Sequence, residues 1–322
     1  MTSSQTPRSV WIGLSICNII WAINPSAAKR IIEDVGPAHT AWLRYSSALL
    51  AFWIGVTLLR LIRKDTPALE YRLHSRSVRD WLTALAIGAT TGFISPVSQM
   101  LGIQAASATH NALLVAMEPI FTVLLAWMIL KERPRGTHLF AFGLAIVGFV
   151  LISGLWNLQD EQASAFLIGD LILLLAMAGE AAYSSFARLL SPRHSPTAIY
   201  GTALLGGVSL LTLWAFSQNG VPNLSSLSTL GWASVLWIGP LGTTATYLYW
   251  LFALNRDLPI ASLALTLFLQ PVVGAIAGSL AFGEKLGMPQ ILGTLFIIAA
   301  VIFPALFAVR RAPEPQQAPT LN

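Results

Sequence analysis

The sequence predicts an all-α integral membrane protein with ten transmembrane helices, arranged as two inverted five-helix repeats. Three observations predict it. First, 55% of the residues are hydrophobic and only 10% are charged, whereas a soluble domain carries about a quarter charged residues. Such a chain cannot clothe a water-facing surface, so the lipid bilayer is its expected surrounding. Second, the apolar residues fall into stretches of about 18 to 25, each long enough to cross the bilayer core as a helix. Third, one block occurs twice. Met117-Glu118-Pro119 opens an apolar run that ends at Lys131-Glu132, and Leu269-Gln270-Pro271 opens another that ends at Gly283-Glu284-Lys285. Pro119 stands as far from Glu132 as Pro271 does from Glu284. Each block is a membrane-length helix with a proline in its middle and an acid at its end, followed by one more apolar helix. A duplicated unit of this kind points to a transporter built from two halves.

The segments follow in order. The first, 10–28, holds Trp21, Asn24 and the single cysteine, Cys17, so no disulfide framework exists. The second, 38–60, starts after Pro37 and carries Arg44. The connection 61–79 is the longest and holds Arg63, Lys64, Arg72, Arg76 and Arg79. Segment 80–102 contains Gly88-Ala-Thr-Thr-Gly92, a small-residue face, and Gln99. Segment 108–130 contains Asn111, Glu118 and Pro119, and 136–156 closes the first half. In 166–190, Asp170, Leu173, Met177, Glu180 and Ser184 share one helical face. Segments 197–217 and 230–252 follow, the latter with Thr243 and Tyr247. Segment 259–281 holds Thr266, Gln270, Pro271 and a second small-residue face from Gly274 to Gly278, and 289–309 ends the set. Small-residue faces let helices approach closely and read here as internal packing, with a dimer interface as the other option. The halves are residues 1–158 and 159–311. The tail 312–322 is rich in Pro and Gln, a composition expected to be disordered.

Basic residues set the orientation. With a cytoplasmic N-terminus, Arg8, Arg60, the 61–79 cluster, Lys131, Arg133, Arg135, Arg188, Arg193, Arg256, Arg310 and Arg311 share the cytoplasmic side. Lys29, Arg30 and Lys285 are left for the outer side. The positive-inside rule therefore places both termini in the cytoplasm. The positive net charge reflects this orientation and not a nucleic acid partner. A secretory leader ending near Ser26-Ala27-Ala28 is the competing reading of the N-terminus; it would leave nine helices and break the match between halves. Five is odd, so the second half enters the membrane upside down, an arrangement suited to alternating access.

With these residues in hand, the chain resembles the drug/metabolite transporter superfamily, and within it the EamA type. The resemblance covers nearly the whole chain. It rests on Pro119 through Glu132 and Pro271 through Glu284, with Trp21, Pro37 and Arg44 as weaker elements. It implies ten helices, cytoplasmic termini, a central cavity and export across the bacterial inner membrane. Members are associated with amino acids, other metabolites and toxic compounds. Ala203 lies near the place corresponding to Arg44, so a role given to Arg44 has no counterpart in the second half.

Ionisable groups at lipid depth are costly and tend to face a cavity or a partner. They are Arg44, Glu118, Asp170 and Glu180. Glu118 lies about ten residues, roughly 15 Å, into its helix. Proline removes a helix hydrogen bond and bends the chain, so an acid beside Pro119 is a candidate for binding a cation, an amine or a coupling proton. Gln270-Pro271 repeats the geometry with a neutral group. The plainer reading is that the prolines only shape the cavity. Glu180 is a second binding or coupling candidate; as a structural group it would be a buried acid kept protonated. Asp170, nearer the outer end, is less telling. Arg44 reads as an anion contact, a structural ion pair, or a side chain that snorkels to the interface. Trp21, Asn24, Gln99, Asn111, Tyr183, Thr243, Tyr247 and Thr266 are neutral cavity candidates, the aromatics able to stack on a ring or a cation. Eleven tryptophans also suit an interfacial belt. Glu132 and Glu284 end helices at opposite faces, each beside a lysine able to pair with it.

No GxxxxGK[ST] loop, HExxH or GxSxG is present. His39, His74, His110, His138 and His194 show no metal-ligand spacing, so neither cofactor nor metal is expected. The function predicted is a secondary transporter, not an enzyme. It exports small organic metabolites such as amino acids, with protons as a candidate coupling ion, acting as a monomer or homodimer. A membrane-embedded enzyme acting on a lipid or small amphiphile, a multidrug or toxic-cation exporter, and a non-transporting receptor are the other readings.

Overall fold

Gly36 decides how the chain enters the bundle. The first helix, α1 (Arg8–Ile62), is helical except at Gly36, where φ is 78° and ψ is 167°. A residue with a Cβ is strained at such a positive φ. If straight, 55 residues would reach about 80 Å, more than twice the hydrocarbon thickness. The two legs instead lie side by side. Asn24 donates to the carbonyl of Gly242 and Arg44 donates to the hydroxyl of Thr243. In a straight helix Asn24 and Arg44 would stand about 30 Å apart.

The computed structural model describes residues 8–62, 77–131, 136–155, 161–190, 193–254 and 269–309. Every regular element among them is helical. The elements after α1 are α2 (Val78–Ala89), a π-turn at Thr90–Ile94, α3 (Ser95–Ala105), α4 (Ala108–Leu114), a 3-10 turn at Val115–Met117, α5 (Glu118–Leu130) and α6 (Gly136–Ser153). Then come α7 (Glu161–Leu190), α8 (Pro196–Asn219), α9 (Thr229–Leu236), a π-turn at Trp237–Ala245, α10 (Thr246–Leu254), α11 (Leu269–Phe282) and α12 (Met288–Val309). Several are long and apolar enough to cross a membrane.

The first copy of the repeated block begins at a change of helix type. The α-helix gives way to the 3-10 turn and restarts at Glu118, with Pro119 in the first turn, where its missing N–H costs nothing. The duplicated block also ends alike. Lys131 after α5 has φ 60° and Gly283 after α11 has φ 65°, both left-handed caps. The stretch before Leu269 lies outside the described residues. So do Thr266, Glu132, the 63–76 connection and the 312–322 tail.

Close packing runs through glycines, as the small-residue faces predict. A Cβ on Gly92 would stand 2.7 Å from the Cα of Gly207 on α8, and one on Gly274 would stand 2.9 Å from the carbonyl oxygen of Ala22 on α1. Gly148 of α6 and Gly293 of α12 meet in the same manner, each with its partner's carbonyl oxygen 2.6 Å from where a Cβ would sit. Large apolar side chains such as Leu50, Leu58, Leu171, Leu213 and Leu280 stay exposed, which is what a lipid-facing surface requires.

Polar staples tie the two ends. At one end Asp34 accepts from the backbone N–H and hydroxyl of Ser228, the cap of α9. Beside it Glu284 accepts from the Ala108 and Thr109 N–H groups that open α4, and from Lys29 at 2.5 Å. The lysine that pairs with Glu284 is therefore Lys29 and not its neighbour Lys285, because the chain turn delivers the carboxylate to a helix N-terminus across the bundle. At the far end of the α2–α3 rod, Asp80 pairs with Arg193 at 2.8 Å and His194 at 3.0 Å.

Candidate functional site

Midway along the bundle the polar side chains gather in one layer. Its floor is a small cavity of about 20 Å³ lined by Tyr45, Thr91, Tyr183, Tyr200, Thr243 and Tyr247, among others. That is room for roughly one water, so the layer is nearly closed in this conformation.

The two π-turns build one wall. A π-turn widens the helix by a residue and leaves carbonyls free to take other donors. The Gly242 carbonyl accepts Trp21 Nε1 at 3.0 Å, Asn24 Nδ2 at 3.3 Å and the Thr246 hydroxyl at 3.0 Å. Thr243 donates to Ile238 at 2.6 Å and accepts from Arg44 Nε at 3.1 Å. In the other π-turn, the Thr91 carbonyl accepts from Tyr45 and its hydroxyl donates to Gly179.

Arg44 is buried and does not snorkel. Its Nη1 donates to Gln99 Oε1 at 2.5 Å, its plane lies 5.4 Å from the Tyr45 ring, and Gln99 in turn reaches Asn111 at 3.5 Å. Glu180 is half-buried and accepts from Ser95 at 3.0 Å. Glu118 and Glu180 lie within electrostatic range of each other, and Arg44 lies within range of Glu180. Two carboxyls and one guanidinium therefore share this part of the layer.

The aromatic wall centres on Tyr247. Tyr200 stacks on it at 5.6 Å, Trp21 meets it edge-on at 5.6 Å, and Tyr183 stands 6.3 Å away. Gln270 faces a separate place, where its Nε2 donates to Asn18 Oδ1 at 2.7 Å. Asn24 Oδ1 is buried without a hydrogen-bond partner.

The structure thus brings Arg44, Gln99, Asn111, Glu118, Glu180, Tyr183, Thr243, Tyr247, Trp21 and Asn24 into or beside one layer, and sets Gln270 against α1 instead. Sequence reasoning missed Tyr45, Tyr200, Thr91 and Ser95. A usable signal was there: of six tyrosines in the chain, four line the cavity. Asp170, read as less telling, is fully buried and paired with His110 at 2.8 Å. Among the described residues no group of three metal-ligating side chains occurs.

The sequence profile of the EamA-like transporter family matches residues 9–154 and 167–305. An uncharacterized transporter of Archaeoglobus fulgidus is 22% identical over 293 residues, covering 90% of this chain and 96% of the relative. A probable terminal-alkyne amino-acid exporter of Streptantibioticus cattleyicolor is 27% identical over 296 residues, covering 92% of each. A solved crystal structure superposes with a TM-score of 0.62 at 18% identity, over 95% of this chain and 99% of that one; it shares the fold. These names point to transporters rather than enzymes.

Proposed function

The chain belongs to the EamA-like transporter family, a multi-pass membrane protein, and from that premise we propose that it is a proton-coupled exporter of small zwitterionic metabolites such as amino acids. In this reading ten helices form two inverted repeats, 1–158 and 159–311, with both termini in the cytoplasm of an inner-membrane protein. The halves rock about the central layer and expose it to one side at a time.

The observation that carries the reading is the charge count in the layer: Glu118 and Glu180 within range of each other, and one cation, Arg44, beside Glu180. Burying an unbalanced carboxylate costs several kcal/mol. Arg44 offsets one carboxyl. The other is balanced by a proton in the empty carrier and by the ammonium of an amino acid in the loaded one, so each excludes the other. Arg44 is then shared in a fork between Glu180 and the substrate carboxylate, so the substrate-loaded layer carries one more negative charge than the proton-loaded one. The tyrosine wall takes the apolar side chain. Family membership, and a relative named as an amino-acid exporter, support this reading.

The aromatic wall supports a second reading, export of toxic organic cations, because aromatic faces attract cations. One screen separates the two. Purified protein is heated with neutral amino acids, amines, nucleosides and toxic cations. The first reading expects neutral amino acids to raise the melting temperature, with the gain lost in R44Q. Stabilisation by cations alone, kept in R44Q, would favour the second. No stabilisation by either class would leave the substrate assignment without support, and counterflow in vesicles tests any hit.

A further inference from the structure

The interface between α4–α5 and α7 holds a second ionisable pair that the central layer does not use. His110 on α4 and Asp170 on α7 are both buried, with Nδ1 2.8 Å from Oδ1. Asp170 is 0% exposed, and its Oδ2 has no hydrogen-bond partner. The Phe166 ring packs across the imidazole at 5.2 Å. A carboxylate buried with one oxygen unanswered is poor structural glue, and histidine is the side chain that takes up and returns a proton near neutral pH.

Placement gives the pair a use. His110 precedes Glu118 by eight residues and Asp170 precedes Glu180 by ten, a displacement of about 12–15 Å along the same helix interface. That puts it toward the end where Glu284 meets α4. The residue after His110, Asn111, accepts from Gln99, Gln99 accepts from Arg44, and Arg44 lies in range of Glu180. These side chains lie between the two pairs, but among the described residues no hydrogen bond runs from His110 to Asn111. Amides and a guanidinium do not give up protons, so a proton passing between the pairs crosses by water.

The charged and titratable groups around the pair come from four places. Lys29 and Arg44 belong to α1; Glu284 caps α4; Glu118 begins α5; Asp170, Glu180 and Tyr183 belong to α7. Neither α3, α11 nor α12 carries a titratable residue, and α6 carries His138.

We propose that His110–Asp170 is the station where the coupling proton is exchanged with that end of the bundle. The pair takes a proton from water when that end opens, the imidazole becoming imidazolium, and gives it up to the Glu118–Glu180 pair when the end closes. This rests on the proton-coupled reading above.

The test uses the full chain in two assays. Vesicles are loaded with L-phenylalanine, an amino acid whose ring suits the tyrosine wall. Exchange at equal pH and uptake driven by a pH gradient are measured for wild type, H110Q and D170N. The variants are expected to keep about half or more of the exchange and to lose about tenfold or more of the gradient-driven uptake. Equal loss of both activities marks the pair as structural, and loss of neither marks it as idle; either overturns the proposal.

Nitrogen-labelled histidine spectra in nanodiscs decide the site without any substrate. The signal lost in H110Q is expected to pass from neutral to protonated imidazole as the buffer is acidified, and D170N to change where it does so. A His110 signal that keeps one form at every pH where the protein stays folded overturns the proposal. If the wild type exchanges no L-phenylalanine, that counts against the transport reading for this substrate, and the spectra alone judge the pair.

Discussion

Glu118 and Gln270 stand at the same place in two copies of one sequence block, each directly before a proline, yet their surroundings differ. Glu118 opens α5 on a helix pair with α7, in electrostatic range of Glu180. Gln270 lies in α11 on a helix pair with α1 and donates to the amide oxygen of Asn18. Both neighbourhoods pack closely through a glycine, though not at matching positions of the block: Gly179 brings α7 against the α2–α3 rod, with Ser95 Cβ 3.0 Å from where a Cβ would stand, and Gly274 brings α11 against α1 and α4, with Ala112 Cβ 2.5 Å away. The chemistry is not alike. One pair can gain and lose protons, and the other is an amide couple that cannot. Our reading is that duplication supplied the shape twice and the proton chemistry once.

Removing Arg44 should break the comparison most. R44A leaves Thr243 and Gln99 without their donor and Glu180 without its nearby cation, a loss of about 3–5 kcal/mol for a buried charge partner. Thermal unfolding and ligand binding should both fall sharply. Q270L, which empties only the amide couple, should cost about 1–3 kcal/mol and leave the pH profile of transport where it was.

Packing should answer equally on both sides. G179L and G274L each force a side chain into space held by a neighbouring helix, at a cost of about 1–3 kcal/mol. Melting temperatures that drop for one and not the other would undo the claim of close packing in both.

The smallest effect belongs to Glu284. Burial would raise its pKa, but hydrogen bonds from Lys29 and Thr109 outweigh it and hold the carboxyl below the usual carboxylate range. A group depressed in the folded state contributes above its unfolded value, about 4.3, and loses that contribution as pH falls through the folded one. E284Q should therefore be less stable than wild type by about 1 kcal/mol at neutral pH, and the gap should close only in acid well below pH 4.3. A gap that instead closes between pH 6 and 8 would show that another group sets it.

Much of this was legible in the residue order. The break at Pro119 follows from proline chemistry, and the shared left-handed caps after α5 and α11 follow from the repeated spacing. Glycine contacts could be expected from small-residue faces, though not their partners. What stayed hidden depends on long-range neighbours. Arg44 reaches Gln99 across 55 residues and Thr243 across 199, so no local pattern separates a buried clamp from a snorkel. His110 and Asp170 are 60 residues apart and each looks ordinary alone. The π-turns at Thr90–Ile94 and Trp237–Ala245 escaped notice because their small residues fit a regular helix equally well. The second forms the wall on which Trp21, Asn24 and Arg44 rest.

The central claim is that the carboxyl pair, and not its amide counterpart, exchanges protons for substrate. Counting protons moved per L-phenylalanine in vesicles, with a trapped pH dye and radiolabel read together, tests it most directly. Wild type and Q270L should move about one or more protons per substrate, and whatever weak transport E118Q/E180Q keeps without a carboxylate for the substrate ammonium should move none. An undiminished proton count in E118Q/E180Q would contradict it.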